Sequence, residues 1–563
     1  MKNWASILLT AASFIVVAEP AYAVSFIVSV ATKAIATYGL TAVIAIGVIG
    51  FIAVKSIMKS FKKGAKQQAR NIMVNKQSNN DPIPVSYGQR RLGGVRVMVD
   101  TTQQNGSGGA NEYLTMAITL CEGEMGQLKK VMFNDKIIWD HDDGGTYASG
   151  SDTTGYLLGG FLTTDPNFGS VSRIKYFVGH PDQTVDTDIL QPNKGSDDWT
   201  NDHRLRGIAY LAVECKFDQG IFEGGVPTVT AEIAGKKITD TSTLLGSVST
   251  TTSADQNPVD VVYDYLTDTI YGMGIDPGLI DNQSFVDARD YASTRWKING
   301  FLDTDAALFE NLQDILNSFN GMLIFTGGEY RMRVKGQRRT PTQYTYDDAK
   351  VAFTFDETNV IGDIVVKLTD VTKRLNRMQA GYANKDLTSG DAYEGYNEDQ
   401  LVVPSAQAAN TLTANNYYDI ALVGDTDWQS IDADYTSGKT YSKGVRIKKN
   451  STAGSGTGTA TIANNLREDQ DRVLESRIEN DLITDSATLE KLLQYQIDQS
   501  RYGTIAEFNV AHTGVQVEPG DIIQLTHPMA GWTNKKFRVM QMVFDEDTSI
   551  KLVAQEYVEE IEV

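Results

Sequence analysis

Cysteine and histidine are scarce in this chain of 563 residues, and their positions exclude several kinds of site. The two cysteines, Cys121 and Cys215, lie in separate apolar runs, so they form neither a disulfide framework nor a zinc motif. We expect both to be small buried residues of a protein made in a reducing compartment, with a single bridge between them as the alternative. The five histidines do not pair at helical metal-binding spacing; they are His141, His180, His203, His512 and His527.

Catalytic signatures are missing as well. No serine lies in a nucleophile elbow, and the glycine tract from Gly454 to Thr459 lacks the lysine of a phosphate-binding loop. The run from Asp140 to Gly145 lacks the ligand spacing of a calcium loop and is interpreted as a charged hairpin tip. We therefore predict a protein that is not an enzyme, with no catalytic, cofactor-binding or metal-binding residues and no cofactor.

Net positive charge is confined to one end of the chain. Residues 1–80 hold nine Lys/Arg and one acid, Glu19, so they carry a formal charge of +8 and residues 81–563 carry −28. So acidic a body repels phosphates, and recognition of a nucleic-acid sequence is not expected. The length suits about three or four domains, and 41% hydrophobic with 22% charged residues is typical of a globular protein.

The first 23 residues resemble a secretory signal. Lys2 precedes an apolar run over residues 4–17, and residues 21–23 (AYA) form a small-x-small cleavage site. Residues 34–54 then form an uncharged run of 21 residues, which is long enough to cross a bilayer as a helix. The basic residues between Lys55 and Arg70 are typical of a cytoplasmic flank. Three interpretations stay open: a helical plug inside an assembly, a segment that enters a target membrane, and an export signal with an anchor.

Residues 81–97 separate this arm from the acidic body. Pro82 and Pro84 each remove a backbone donor and favour an extended preceding residue, so a helix must end before them. The run from Leu92 to Val97 is typical of a strand whose glycines let another backbone approach closely. We interpret the stretch as a linker that enters a sheet.

The body alternates strand patterns with a few helices. Short apolar runs between residues 113 and 237 predict a barrel or sandwich. Asn257 caps a predicted helix that begins at Pro258 and ends near Gly272. A second helix carries the apolar stripe from Leu308 to Phe319, and a hairpin turns at residues 327–328 (GG). A helix from about 486 to 501 and four strands complete the sequence.

We predict an α+β fold that is predominantly β, with several β-barrel or sandwich domains, packed helices and preceding N-terminal hydrophobic helices. The predicted segments, in chain order, are a hydrophobic helical arm with a basic linker (1–80), a β-rich domain (81–240), an α+β domain (241–345), a β segment (346–407), an inserted Thr/Gly-rich β module (408–463) and a C-terminal α+β domain (464–563).

Four segments, in their order along the chain, resemble the central hub proteins at the tail tip of long-tailed bacteriophages. That family is related to the tip attachment protein of lambda-like phages and to the hub of contractile baseplates. The module at 410–462 is also similar to small modules inserted into phage tail and fibre proteins. The four segments are DPIPVSYG (81–88) with RLGG (91–94), LRGIAY (205–210) with FEGGVP (222–227), NP (257–258) with YGMG (271–274), and VEPGD (517–521) with GW (531–532) and FRV (537–539).

The resemblance implies a structural virion protein of the tail tip that is assembled in the host cytoplasm. It implies a homotrimer in which each subunit contributes two tube-like β domains. The implied partners are a distal tail protein ring, the tape-measure protein, tail fibres or a central spike, and passing DNA without sequence recognition. Host membrane contact is expected through residues 24–57, if these residues do not plug the lumen. Receptor recognition is expected from another chain or from the 408–463 module.

The alternative is an exported, membrane-anchored bacterial envelope protein with a large acidic β-rich domain, which the sequence of residues 1–70 favours. A third interpretation is a polysaccharide-degrading tail enzyme whose carboxylates are hidden among the 71 acids.

Overall fold

A computed structural model supplies the fold of the chain. The structure describes residues 15–17, 76–77, 82–102, 113–141, 172–191, 199–216, 225–245, 252–253, 256–304, 306–337, 350–368, 374–375, 377–383, 396–400, 407–412, 414, 417–442, 445–462, 474–480, 482–484, 486–544 and 549–558.

Two short strands are described in the N-terminal arm, β1 (Ile15–Val17) and β2 (Lys76–Gln77). β1 corrects the prediction of a helical arm at this point, because three consecutive β-branched residues favour extended backbone. The apolar runs at 34–54 and 24–57 lie outside the described residues. Among the residues that are described, no helix is long and apolar enough to span a bilayer.

The first part of the acidic body is a pair of facing sheets, as the strand pattern predicts. Their strand orders are β2-β5-β6-β10-β9 and β4-β11-β7-β8. Leu211 of one sheet and Phe133 and Trp139 of the other belong to one buried core. The new strands are β3 (Val85–Tyr87), β4 (Gln89–Leu92), β5 (Val95–Thr102), β6 (Tyr113–Glu122), β7 (Met125–Phe133), β8 (Lys136–Asp140), β9 (Ser172–Phe177), β10 (Ile208–Lys216) and β11 (Val229–Lys236).

Next comes a helical layer on a hairpin. Asn257 caps the first helix by accepting from the Val259 amide, as predicted, but the helix ends at Thr267, short of Gly272, because the Asp268 carboxylate binds the amides beyond it. The sequence pattern does not predict the helix over Asn282–Ala292, which Asp281 caps. The elements are β12 (Ile238–Thr239), β13 (Thr252–Ser253), α1 (Pro258–Thr267), α2 (Asn282–Ala292), β14 (Gly300–Leu302), α3 (Leu308–Asn317), β15 (Gly321–Thr326) and β16 (Glu329–Val334).

The remaining elements build an inserted module and a C-terminal sheet. They are β17 (Val351–Phe355), β18 (Val360–Lys367), β19 (Arg377–Ala383), β20 (Tyr396–Gln400), β21 (Gln407–Ala408), β22 (Tyr417–Leu422), α4 (Trp428–Ile431), β23 (Arg446–Lys448), β24 (Thr459–Ile462), β25 (Glu475–Asn480), α5 (Ser486–Gln499), β26 (Ile505–Val510), β27 (Ile522–His527), β28 (Trp532–Phe544) and β29 (Ile550–Glu556). Short 3-10 turns cover Thr241–Thr243, Pro277–Leu279, Ala409–Thr411, His512–Gln516 and Pro528–Ala530.

The inserted module has a sheet of its own, ordered β21-β24-β22-β23, around buried Trp428 and Tyr418. The chain leaves the small sheet β20-β19-β25 after β20 and returns to it at β25, so the module is an insertion in topology as well as in composition.

The segments on either side of the inserted module combine in one sheet, and helix α5 packs in a core that is formed earlier in the chain. β17 and β18 close onto the C-terminal strands in a six-stranded sheet, ordered β17-β27-β28-β29-β26-β18. Helix α5 instead places Leu489, Leu492 and Leu493 in the core of α1, α2 and α3. The predicted segments 346–407 and 464–563 therefore share a sheet, and their limits as independent domains stay predictions.

Candidate functional site

The described residues offer little for catalysis or metal binding. No group of three His, Cys, Asp or Glu side chains among them is placed to hold a metal ion. Cys121 and Cys215 are both free and buried, as predicted, and burial raises the pKa of each thiol to about 12. Asp140 pairs with Lys130 at 2.9 Å, while residues 142–145 of the charged run lie outside the described residues. The absence of a metal site or an activity stays a prediction.

The linker that enters the body pairs with two different sheets and passes close to another backbone. β3 pairs with β14 of the helical layer, and β4, directly after it, pairs with β11 of the β sandwich. Gly88 lies between them with φ of +62°, and a Cβ there would lie 2.3 Å from the Ile298 carbonyl oxygen. Glycine is required at this point because the chain changes sheets there under another backbone.

Asn299 joins this linker to a third part of the chain. Its Oδ1 accepts from the Gln89 amide at 2.7 Å, and its Nδ2 donates to Thr484 Oγ1 at 2.9 Å. Its own amide donates to the Leu482 carbonyl at 2.8 Å. The side chain is 4% exposed, so these partners satisfy a polar group that water barely reaches. We call Val85–Leu92 together with Asn299 and Thr484 the linker joint.

A partly buried ionic group links the β sandwich to helix α1. Lys236 Nζ, at the end of β11, lies 2.9 Å from Asp268 and 3.3 Å from Asp264. Tyr87 donates to Asp264 at 2.7 Å, and the Tyr271 hydroxyl donates to the same carboxylate. We call these five residues the Lys236 cluster.

The electrostatics of the Lys236 cluster follow from its burial. Burial, reinforced by the Asp264 charge, raises the pKa of both Tyr87 and Tyr271, so each hydroxyl stays protonated and donates. Burial alone would raise the pKa of Asp268, but hydrogen bonds from Lys236 and from the Ile270 amide hold it below its usual value. The cluster is thus an ion pair with its donors in place and not a poised acid or base.

A second ionic group links the hairpin β15–β16 to the C-terminal sheet. Arg331 Nη1 donates to both carboxylate oxygens of Glu518, at 2.9 and 2.8 Å. Arg333 Nη1 donates to Asp521 at 3.0 Å and to the Pro519 carbonyl at 3.3 Å. Burial raises the pKa of Asp521 although Arg333 opposes this shift. We call Arg331, Arg333, Glu518 and Asp521 the Arg333 joint.

No family model matches the sequence. Over 542 residues the chain is 23% identical to "Baseplate hub protein pb3" of Escherichia phage T5, a match that covers 85% of this chain and 48% of that protein. This chain is similar to a phage baseplate hub protein. The predicted resemblance to tail hubs is confirmed by this match, and the expected location in the virion tail agrees with it. The chain spans about half the length of this relative.

Two solved structures are similar at a greater distance. A chain from the "Virion of native gene transfer agent (GTA) particle" has a TM-score of 0.47 and 13% identity, covering 87% of this chain and 88% of that one. The prophage MuSo2 43 kDa tail protein from Shewanella oneidensis has a TM-score of 0.25 and 9% identity, covering 86% of this chain and all of that one. Similarity at these scores is too distant to assign a function.

Three of the four hub-like segments contribute to the linker joint, the Lys236 cluster or the Arg333 joint. The first supplies β3, Gly88 and β4, the third supplies Tyr271, and the fourth supplies the turn from Glu518 to Asp521. The second segment instead lies against Gln183, whose side-chain Nε2 donates to the Ile208 carbonyl at 3.1 Å. Sequence reasoning missed the partners that complete the joints, such as Asn299, because their contacts join residues up to 210 positions apart.

Proposed function

We propose that this chain is the central hub of a phage tail tip, a structural homotrimer that joins the tail tube to the tip. The observation that carries the proposal is the match to a baseplate hub protein over 85% of the chain. The joints support it, because a hub that connects a tube to a tip has to hold its β units in one arrangement. Ion pairs and buried amide contacts between the sandwich, the helical layer and the C-terminal sheet serve that purpose.

The trimer is supported by an edge of the C-terminal sheet. β17 and β18 are its two edge strands, and apolar side chains stay exposed along β18 and just beyond it: Ile361 is 48%, Val365 50% and Leu368 79% exposed. Exposed apolar edge strands readily pair with another chain. If the β sandwich is the second ring unit, three copies place six β units around one axis.

We further propose that the ring encloses part of the DNA ejection channel. Residues 81–563 carry a formal charge of −28, and a negative wall offers few binding sites for the phosphates of a passing duplex. A ring structure with a strongly basic lumen would contradict this part of the proposal.

The arm and the neighbours complete the proposal. We propose that residues 24–57 plug the lumen or enter the host membrane, as their uncharged run favours. A distal tail ring, the tape-measure protein and fibres or a spike are the proposed partners. We assign receptor binding to another chain or to the 408–463 module, which has a sheet and a core of its own.

The decisive experiment is image reconstruction of purified virions, combined with quantitative mass spectrometry and N-terminal peptide mapping. Three copies per tail tip are expected. A chain that begins at Val24, is found in cell envelopes and is absent from virions would replace the hub by the exported envelope protein.

The arm is tested separately in phage that carry a deletion of residues 1–75. We expect particles that assemble but leak DNA or fail to eject it. Val43→Asp, inside the uncharged run, should weaken infection, whereas Ser78→Asp beyond it is the matched control. Normal infectivity of the deletion would contradict the role of the arm while leaving the hub proposal intact.

A further inference from the structure

The outer edge of β15 is the edge that does not pair with β16, and its backbone groups need hydrogen-bond partners of their own. β15 pairs with β16 through a two-residue turn, Gly327 and Gly328, in which both residues have positive φ. This hairpin pairing satisfies one edge of β15 and leaves the other facing away. Met322, Leu323 and Ile324 on β15 are at most 3% exposed. Backbone groups in so buried a strand need hydrogen-bond partners on both edges.

Both faces of β15 are covered by different parts of the chain. Leu323 belongs to the helical core, together with Leu312 of α3. On the other face, Met322 Sδ lies 3.9 Å from Arg538 Nη1 of β28, and a Cβ on Gly520 would lie 2.8 Å from Cδ1 of Ile324. The strand is thus enclosed between the helical layer and the C-terminal sheet, and its outer edge opens between them.

Within the described structure, that edge is filled by β1. The pairing is antiparallel, with Ile15 opposite Ile324, Val16 opposite Leu323 and Val17 opposite Met322. β1 also lies beside α3 and β28, the two elements that enclose β15. The segment has suitable chemistry, because its three β-branched residues favour extended backbone.

We propose that the outer edge of β15 is a strand-docking site and that its ligand is the Ile15–Val17 segment of the same chain. Docking ties the N-terminal arm to the contact between the helical layer and the C-terminal sheet. The same-chain segment is favoured over that of another copy because residues 18–75 tether it to the body, which makes docking an intramolecular step. The inference does not depend on the hub assignment.

The first test is a disulfide between directly opposed positions in the full chain. Val16→Cys with Leu323→Cys places the two thiols across the strand pair. The control, Val16→Cys with Ile324→Cys, moves one thiol to the opposite face of β15. We expect at least about a tenfold higher yield of the link in the first variant, because opposed Cβ atoms lie about 4.5–5.5 Å apart.

The link is located by peptide mapping after mild oxidation of mixed 14N-labelled and 15N-labelled chains. A link within one isotope class supports the proposal. Equal yields in the two variants would overturn it, and links that join the two isotope classes would overturn the same-chain assignment.

The second test is independent of the cysteine substitutions. Val16→Pro disfavours the pairing of β1 with β15, so the backbone amides of residues 322–324 that face β1 lose their acceptors and should exchange with solvent about tenfold faster, the effect of about one lost hydrogen bond. Ser29→Pro, outside the strand, is the control and should leave the exchange unchanged. Unchanged exchange in Val16→Pro would overturn the docking site even if no cross-link forms.

Discussion

Removing the Asn299 side chain should loosen the contact between three distant parts of the chain. Asn299→Ala deletes the acceptor of the Gln89 amide and the donor to Thr484 Oγ1. Thr484 is 5% exposed, so water does not readily replace the lost partner. Leaving a buried polar group unsatisfied costs about 1–3 kcal/mol, and the Gln89 amide is only partly buried, so we expect a total loss of about 2–4 kcal/mol.

The loss should be local to the linker joint, and the assay must resolve that. A chain with several cores does not unfold in two states, so one midpoint is not a sufficient measurement. We therefore pair a thermal scan of the full chain with amide exchange of residues 85–92 and 482–484. The control is Asn509→Ala, on the half-buried outer row of β26, where no side-chain hydrogen bond of Asn509 occurs among the described residues.

Asn299→Ala should lower the first thermal transition and speed exchange in both peptides, whereas Asn509→Ala should do neither. Equal effects of the two variants would refute the joint. So would faster exchange in 85–92 without any change in 482–484, because Asn299 would then not connect those segments.

Three further predictions concern the glycine at position 88, the ion pair of Arg333 and the pH dependence of stability through Asp260. In urea unfolding, Gly207→Ala should cost about 1–2 kcal/mol from its positive φ alone, whereas Gly88→Ala should cost about 1–3 kcal/mol more, since its Cβ would clash with a carbonyl; equal losses would contradict the close approach. Arg333→Met should cost about 1–3 kcal/mol because Asp521, whose side chain is only 18% exposed, loses its guanidinium partner, and unchanged amide exchange of residues 518–521 together with an unchanged first urea transition would contradict the Arg333 joint. Asp260, in the first turn of α1, lies 3.1 Å from Arg289 Nε and accepts from the Thr241 amide at 2.9 Å, but burial outweighs both partners and raises its pKa to about 6. Its contribution to stability is therefore full below pH about 4 and is lost as the pH rises through about 6; urea titrations of wild type and Asp260→Asn should diverge in that window, in favour of the variant, and a constant difference would contradict the shift.

Local signals in the sequence predicted local structure well. Asn257 before Pro258 begins a helix, and the glycine pair at 327–328 turns a hairpin, because caps and turns depend on neighbouring residues only. α2 was missed because its apolar face consists of widely spaced residues such as Phe285 and Ala288 within a polar sequence. The strand β1 lies where the apolar run predicts a helix, because apolar residues in a row do not by themselves distinguish a strand from a helix.

Local sequence signals do not predict the joints, because the residues of each joint are far apart in the chain. Asn299 and Thr484 are 185 positions apart, and nothing in either neighbourhood specifies the other. The apolar stripe of α5 was recognised as a core face, but a stripe does not say which core it enters. The carboxylates of the Lys236 cluster were lost among 71 acids for the same reason. The order of the four hub-like segments was informative where single residues were not, because it reflects the whole arrangement of the chain.

The polar chemistry of the joints explains how modules assembled out of chain order dock in one way. Apolar surfaces contribute most of the free energy of packing, but they tolerate small shifts because the hydrophobic effect is not directional. Asn299 is satisfied only when the linker and residues 482–484 reach it together, and Arg333 only when the turn at Glu518 to Asp521 lies against β16. A shifted arrangement would leave these groups buried without partners, which is more unfavourable than the pairs are favourable. The joints therefore act mainly by destabilising wrong arrangements, which is the property that the proposed role as a rigid connector requires.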